Sequence, residues 1–248
     1  MEGVDTRRNS TDFMTLELEV HNDAEAAAQA AAIFIAAQAR EAIAARGKFV
    51  MAVSGGRTPW LMLQALAHED VPWEAVHLVQ VDERVAPAGD PDRNLTHMLE
   101  ALREVASLSS DHIHAMPVEA PDLELAASKY SALLNQIAGS PAVLDLVHLG
   151  LGPDGHTASL VPGDPVLNVT NADVALTGVY QKRRRMTLTY PIINRARQVL
   201  WLVTGQDKAE MVGRLRSGDT SIPSGRIEKG HALMIADRQA ADMNAKKE

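Results

Sequence analysis

Apolar and polar positions along the chain fall into short runs and longer periodic stretches that alternate. LELEV (16–20) alternates with a period of two and reads as a strand. Asn22 or Asp23 can cap a long alanine-rich helix that runs to about Arg46, with Gly47 as its stop. KFVMAVS (48–54) is a short apolar run bounded by glycines, the pattern of a buried strand. Thr58-Pro59 then opens a helix to about His68, with proline in the favoured first turn. VHLVQVD (76–82) predicts the next strand and Asn94 to Val105 the next helix. A short strand at HIHAM (112–116) and a helix from Pro121 to Ala138 follow, and LDLVHLGLG (144–152) is the clearest buried strand. After it the period changes. DVALTGVY (173–180) and RMTLTYP (185–191) alternate like antiparallel strands with one face half buried. QVLWLVTG (198–205) returns to a buried strand, Lys208 to Leu215 to a helix, and HALMIAD (231–237) ends the pattern as a strand.

Strand and helix alternate at a spacing suited to βαβ units. The expected fold is therefore α/β, a mostly parallel sheet with helices on both faces and a small antiparallel insert near 170–190. No repeat and no Pro/Gly/Ser-rich hinge divides the chain, which reads as one domain over 15–241, with polar tails at 1–14 and 242–248. Met14 is an alternative natural start to Met1.

Composition narrows the function. The chain has 248 residues, with 24 Lys and Arg against 32 Asp and Glu, for a formal net charge of −8. That balance argues against a nucleic-acid-binding face, and an aromatic content of 4% argues against a base-stacking platform. Cysteine is absent, which excludes disulfides, zinc-thiolate sites and cysteine nucleophiles. No stretch approaches the roughly 18 uninterrupted apolar residues of a membrane span. MEGVDTRRNSTDFM has no apolar core behind its charges and does not read as a secretory signal, so a cytoplasmic protein is expected.

Ligands of open α/β sheets bind beyond the carboxyl ends of the strands. Three expected strands end there in loops that can carry chemistry. In Ser54-Gly55-Gly56-Arg57-Thr58-Pro59, two glycines let the backbone approach a ligand and the following helix aims free N–H groups at the same spot. Ser54 and Thr58 add hydroxyls and Arg57 a cation. This is either a phosphate cradle or a plain strand-to-helix turn; it is neither a Walker loop nor GxGxxG. Asp82-Glu83-Arg84 is either a functional set, with Asp82 at the strand tip, or a local salt bridge. In Gly150 to Ser159, Asp154 stands two residues before His156, whose side-chain type titrates near pH 6.5 and suits proton transfer. The other histidines, His148 included, read as core or surface residues. In the basic run 182–185, strand alternation puts Arg183 and Arg185 on one face, and Arg185 is the better placed to point toward a site. Lys208 in a first helical turn opposes the helix dipole, which fits either an anionic ligand nearby or a surface lysine.

Together these loops resemble the 6-phosphogluconolactonase family, within the glucosamine/galactosamine-6-phosphate isomerase superfamily. The matching stretches are AVSGGRTP (52–59), VDERVAP (81–87) followed by DPDRN (90–94), LGLGPDGHTASLVPG (149–163), RMTLTYPIINRARQVLWLVTGQDKA (185–209) and IADRQAA (235–241). They span about 50–240. The resemblance implies a Rossmann-like α/β fold and hydrolysis of 6-phospho-D-glucono-1,5-lactone to 6-phosphogluconate in the oxidative pentose phosphate pathway. It implies that Ser54, Gly55, Gly56 and Thr58, with Arg185 and Lys208, hold the 6-phosphate. It implies His156 as general base. Beside these, Asp154 is expected to assist His156, and Asp82, Glu83 and Arg84 are expected to bind substrate, with a catalytic role for Asp82, or one of only orienting Arg84, left open. Arg57 and Arg93 stand where the family often has serine, and Ile222-Pro223-Ser224-Gly225 only approximates its usual C-terminal pattern.

A lactone is already an activated ester, so the expected hydrolysis uses no metal, no cofactor and no covalent intermediate. Neutral His156 would take a proton from water attacking C1. Asp154 would stabilise the resulting imidazolium or else only brace the loop. Backbone N–H groups or Arg84 would meet the oxyanion. The expected partner is the sugar-phosphate lactone, not nucleic acid or membrane, and monomer and homodimer both stay open. Glucosamine-6-phosphate deaminases resemble the same loops but carry a glutamate five residues after the histidine, where this chain has Val161. A sugar-phosphate sensor is the other reading, and the 14-residue tail is too short to be its DNA-binding module.

Overall fold

The computed structural model describes residues 16–241 except Ala106. The expected tails at 1–14 and 242–248, and Met14, lie outside the described residues. The chain runs β1 (Glu17–His21), α1 (Ala24–Arg46), β2 (Phe49–Val53), α2 (Arg57–Leu66), β3 (Val76–Gln80), β4 (Asp82–Arg84), α3 (Asn94–Ala101), β5 (Ile113–His114) and α4 (Leu123–Ala138). It continues with β6 (Leu146–Leu149), β7 (Val174–Leu176), β8 (Arg185–Leu188), α5 (Tyr190–Arg195), β9 (Val199–Val203), α6 (Ala209–Arg216) and β10 (Ala232–Asp237).

Seven strands form one sheet in the order β1-β10-β9-β6-β2-β3-β5, every neighbouring pair parallel. All residues of β2, β6, β9 and β10 are buried, as expected of strands covered on both faces. One face carries α1, α2 and α3, packed on Phe49, Met51, Leu78, Leu146 and Leu200. The other carries α4, α5 and α6, packed on Val50, Val79, Val147, Leu149 and Trp201.

The capping signals of α1 operate as the sequence suggests. The Asp23 carboxylate accepts the Ala26 N–H at 2.8 Å, and Gly47 closes the helix at φ 76°, a left-handed turn that glycine adopts without steric cost. The buried side of α1 is almost all alanine, which lets its backbone lie close to α2 and the sheet.

The structure corrects five expectations. The run 76–82 is not one strand: β3 ends at Gln80, and after Val81 the chain crosses into a second, three-stranded antiparallel sheet, β4-β8-β7. Apolar continuity through Val81 hides the crossing, because Val81 still donates its N–H to Val53 O. The insert therefore includes 82–84 as well as 174–188. β8 is buried throughout rather than on one face, since the insert packs onto the main core. The helix at 94 stops at Ala101, and a short helix, α5, follows β8, started by Pro191 in its first turn.

Candidate active site

Along the sheet, β2, β3 and β5 lead outward one way, while β6, β9 and β10 lead the other. The order reverses between β6 and β2. Crevices form at such switch points, outside the carboxyl ends of the strands. A cleft of about 330 Å³ opens there, walled by the loops after β2, β6 and β9 and floored by β4 and β8.

The first wall is the loop Ser54–Thr58 and the start of α2. Gly56 is the N-cap of α2 at φ 136°, and no side chain caps the helix. The N–H groups of the first turn are thus left open toward the cleft, with the positive end of the helix dipole behind them. Thr58 Oγ1 lies 2.7 Å from Thr204 Oγ1, tying the first turn of α2 to the end of β9. A Cβ on Gly55 would sit 2.0 Å from Asn94 Oδ1, so only glycine leaves Asn94 its place.

The second group comes from β4. Alternation along this strand sends neighbouring acids to opposite sides. Asp82, 4% exposed, faces the cleft and accepts the Ser159 hydroxyl at 2.5 Å. Glu83, expected with Asp82 and Arg84 to bind substrate, does not line the cleft. Its fully buried carboxylate accepts the N–H groups of Arg84, Asn94 and Leu95, and the Gln80 amide, at 2.8–2.9 Å, and pairs with Arg93 Nε at 3.1 Å. Glu83 thus anchors the N-terminus of α3, a favourable place for a negative charge. Arg84 lines the cleft, with Nη1 bound to Asp92 O at 2.7 Å and Asn94 Oδ1 at 3.0 Å.

The third wall is the turn after β6. Gly152 N–H donates to His156 O at 2.8 Å and Gly155 N–H to Gly152 O at 3.0 Å, with Gly155 at φ 81°. This fold-back brings His156 Nδ1 to 2.5 Å from Asp154 Oδ1. Asp154 also accepts the His156 backbone N–H at 3.1 Å and the Tyr180 hydroxyl at 3.2 Å. Burial pushes the Asp154 carboxyl up, but the His156 ring, its backbone N–H and the Tyr180 hydroxyl outweigh it and hold the pKa below its usual value. An ionised Asp154 fixes the proton on Nδ1 and leaves the Nε2 lone pair unclaimed. The Tyr180 ring meets His156 edge-on, with centroids 5.6 Å apart.

Arg185 reaches the cleft from β8. It is nearly buried, with Nη1 4.0 Å from Asp82 Oδ2, Nη2 on Gln181 Oε1 at 3.0 Å and the guanidinium 5.0 Å from the Tyr180 ring centre. Burial lowers its pKa, Asp82 opposes that shift, and the group stays cationic at neutral pH. The rest of the basic run turns elsewhere. Arg183 pairs with Asp90 and Asp92, and Arg184 with Glu124. Lys208 lines the cleft from a 3-10 turn, Gln206–Lys208, that precedes α6, rather than from the first turn of that helix. Its Nζ is 2.8 Å from Asp207 Oδ2.

The structure therefore brings Ser54, Gly55, Gly56, Thr58, Asp82, Arg84, His156, Arg185 and Lys208 to one cleft, with Asp154 behind His156, and sets Glu83 apart. Four cations, Arg57, Arg84, Arg185 and Lys208, face it against the carboxylates of Asp82 and Asp207. An acidic protein has thus concentrated positive charge where an anion can enter. Sequence reasoning missed Asn94, Ser159, Thr204 and Tyr180. The first three stand inside stretches already singled out, and only Tyr180 carried no signal, because the turn at Gln181 and Lys182 delivers it from the second sheet. Among the described residues, no group of three or more His, Asp or Glu is placed to hold a metal ion, and no helix is long and apolar enough to cross a membrane.

The chain is similar to known proteins over most of its length. A family model described as glucosamine-6-phosphate isomerases/6-phosphogluconolactonase matches residues 22–236. A 6-phosphogluconolactonase of Synechocystis is 36% identical over 220 residues, covering 86% of this chain and 91% of the relative. That of Streptomyces coelicolor is 34% identical, covering 92% and 94%. The solved structure of 6-phosphogluconolactonase from Thermotoga maritima superposes with a TM-score of 0.78 at 26% identity, covering 89% of this chain and 99% of that one.

Proposed function

The chain belongs to the glucosamine-6-phosphate isomerase/6-phosphogluconolactonase family and is a hydrolase of the 6-phosphogluconolactonase kind; we propose that it hydrolyses its lactone with His156 as the general base. The observation that carries the mechanism is the 2.5 Å contact between His156 Nδ1 and Asp154 beside an uncapped helix N-terminus. The substrate, 6-phospho-D-glucono-1,5-lactone, presents an ester carbonyl at one end and a phosphate at the other.

The phosphate sits on the amides of Gly55, Gly56 and the first turn of α2, with the Ser54 and Thr58 hydroxyls, Lys208 and Arg185 around it. This holds C1 against the base, and such positioning supplies a large share of the rate. His156 Nε2 removes a proton from water as its oxygen bonds to C1. Asp154 stabilises the imidazolium that forms, as orienting carboxylates do, and itself remains ionised. The Arg84 guanidinium and loop N–H groups receive the charge on the carbonyl oxygen. Collapse of the tetrahedral intermediate breaks the bond from C1 to the ring oxygen. His156 returns its proton to that leaving oxygen, giving 6-phosphogluconate. Asp82 accepts a hydrogen bond from a sugar hydroxyl. One unit over 15–241 does this work, in the cytoplasm.

Position 161, where a deaminase would need its carboxylate, is a buried valine. The experiment is a direct comparison of two substrates. Freshly made 6-phosphogluconolactone should be hydrolysed far faster than its spontaneous rate, and glucosamine 6-phosphate should release no ammonia. Ammonia release without lactonase activity would overturn the proposal.

A further inference from the structure

Strand pairing is uneven around the cleft. β2 stays paired with β3 as far as Val53↔Gln80, and Val81 N–H still donates to Val53 O at 3.0 Å. β6 stays paired with β9 as far as Leu149↔Trp201. Between β2 and β6 the pairing stops earlier, at Ala52↔Val147. These two strands part just below Ser54 and Gly150, at the point where the strand order reverses.

His148 stands in that parting. It is fully buried, and its Nδ1 accepts the Ser54 N–H at 3.3 Å. A continued ladder would give this N–H to a carbonyl of β6. Alternation from Leu146 puts the imidazole on the face covered by α1 and α2, under the loop that leads into α2. Nε2 is buried with no protein partner. Burial lowers the His148 pKa to about 3, so the ring is neutral and can act as an acceptor. With Nδ1 accepting, the proton is on Nε2. A buried N–H without a partner is costly, and a leucine in its place would carry no such cost. What the imidazole supplies and leucine cannot is an acceptor for Ser54.

We propose that His148 is a positioning residue for the phosphate-binding loop: its ring separates β2 from β6 at the switch point and engages the Ser54 N–H, fixing the loop so that the next amides stay open to an anion. The proposal rests on the reading of residues 54–58 as the phosphate site. It assigns a function to a histidine buried in a central strand that the mechanism does not otherwise use.

The test uses the full chain with His148→Leu, which keeps bulk without an acceptor, and His148→Asn, whose Oδ1 falls near the position of Nδ1. Thr58→Ala controls for the loop reading itself. The readouts are kcat and KM for 6-phosphogluconolactone, the inhibition constant of 6-phosphogluconate, and the same constants for unphosphorylated gluconolactone. Loss of one buried hydrogen bond under the loop predicts that His148→Leu raises KM and the inhibition constant about tenfold. The same variant should lower kcat by less than about threefold, the signature of lost binding rather than lost chemistry. His148→Asn should recover most of the affinity, and the constants for unphosphorylated lactone should not move. An unmoved KM in His148→Leu, an equal defect in His148→Asn, or an equal defect toward unphosphorylated lactone would each overturn the proposal. If His148→Leu does not fold, His148→Gln replaces it, with its carbonyl near the Nε2 position; a glutamine variant that binds as well as the asparagine variant overturns the proposal too. An effect of Thr58→Ala without one of His148→Leu sinks this proposal alone. No effect of Thr58→Ala sinks the phosphate reading and the proposal with it.

Discussion

Gly152→Ala should separate catalysis from folding more cleanly than removal of a catalytic side chain. A Cβ at this position would lie 2.1 Å from His156 Nδ1, 2.2 Å from its Cε1 and 2.8 Å from Asp154 Oδ1. Ordinary contact between such atoms is about 3.5 Å, so the imidazole has to retreat by roughly 1.4 Å. The atoms in the way are side-chain atoms, and the φ of Gly152 lies outside the left-handed region, so the backbone accepts alanine. The bond from Gly152 N–H to His156 O can persist, and the turn keeps its shape. His156, the proposed base, however, loses its 2.5 Å partner and with it the position from which it is proposed to act on water at C1. A misplacement of about 1 Å costs on the order of 10²-fold in rate, so kcat should fall by 10² or more. KM should change little, because residues 54–58 and Lys208 are held by other loops. The assay is initial-rate hydrolysis of fresh lactone with the spontaneous rate subtracted, alongside thermal unfolding. A kcat within threefold of wild type would refute the reasoning, as would a Tm collapse that accounted for the whole loss.

Three further outcomes are expected. Lys208→Ala and Arg185→Ala should each raise KM for the phosphorylated lactone about tenfold or more, as lost hydrogen bonds to a charged group do, and leave unphosphorylated lactone nearly unaffected; equal effects on both substrates would count against phosphate binding. Gly225→Ala should act on stability, because its Cβ would meet Asp219 O at 1.9 Å and Asp219 C at 2.7 Å, both backbone atoms. A loss of about 2 kcal/mol, or roughly 4–8 °C in Tm, follows, and an unchanged Tm would show that this turn relaxes freely. Stability should also fall with acid. Burial, with His112, His114 and Lys48 nearby, lowers the His77 pKa to about 4, and burial takes His148 to about 3, against 6.5 for a free side chain. The unfolded chain therefore binds protons first, so stability is fully present above pH 6.5 and is lost as pH falls toward 4. Urea midpoints at pH 7.5 and pH 5 measure this, and equal midpoints would contradict it.

The central strands β2, β6, β9 and β10 were legible because burial on both faces makes them continuous apolar runs. The ends of α1 were legible because Asp23 and Gly47 are chemically suited to their caps. The break between β3 and β4 was not, since Val81 is apolar and buried like its neighbours while Gln80 is polar and yet buried. Gln80 pays for its burial through its side chain, which bonds Glu83 and the Met116 N–H. Once β4 is seen to be a strand, the different fates of Asp82 and Glu83 follow from alternation alone. Before that, only its place at the strand tip set Asp82 apart from Glu83. The loops after β2 and β6 showed their chemistry directly in glycines and in Asp154-Gly155-His156. Tyr180 was hidden because its approach to Asp154 depends on two consecutive residues, Gln181 and Lys182, at positive φ, a conformation neither residue type announces.

The central claim is that His156, held by Asp154, is the base. The most direct measurement is the rate of 6-phosphogluconolactone hydrolysis by wild type and His156→Ala, corrected for spontaneous hydrolysis, on protein shown to be folded by its Tm. Removing a general base should lower kcat by about 10²–10⁴-fold while 6-phosphogluconate still binds the cleft. A folded His156→Ala enzyme that turns over lactone at the wild-type rate would contradict the account.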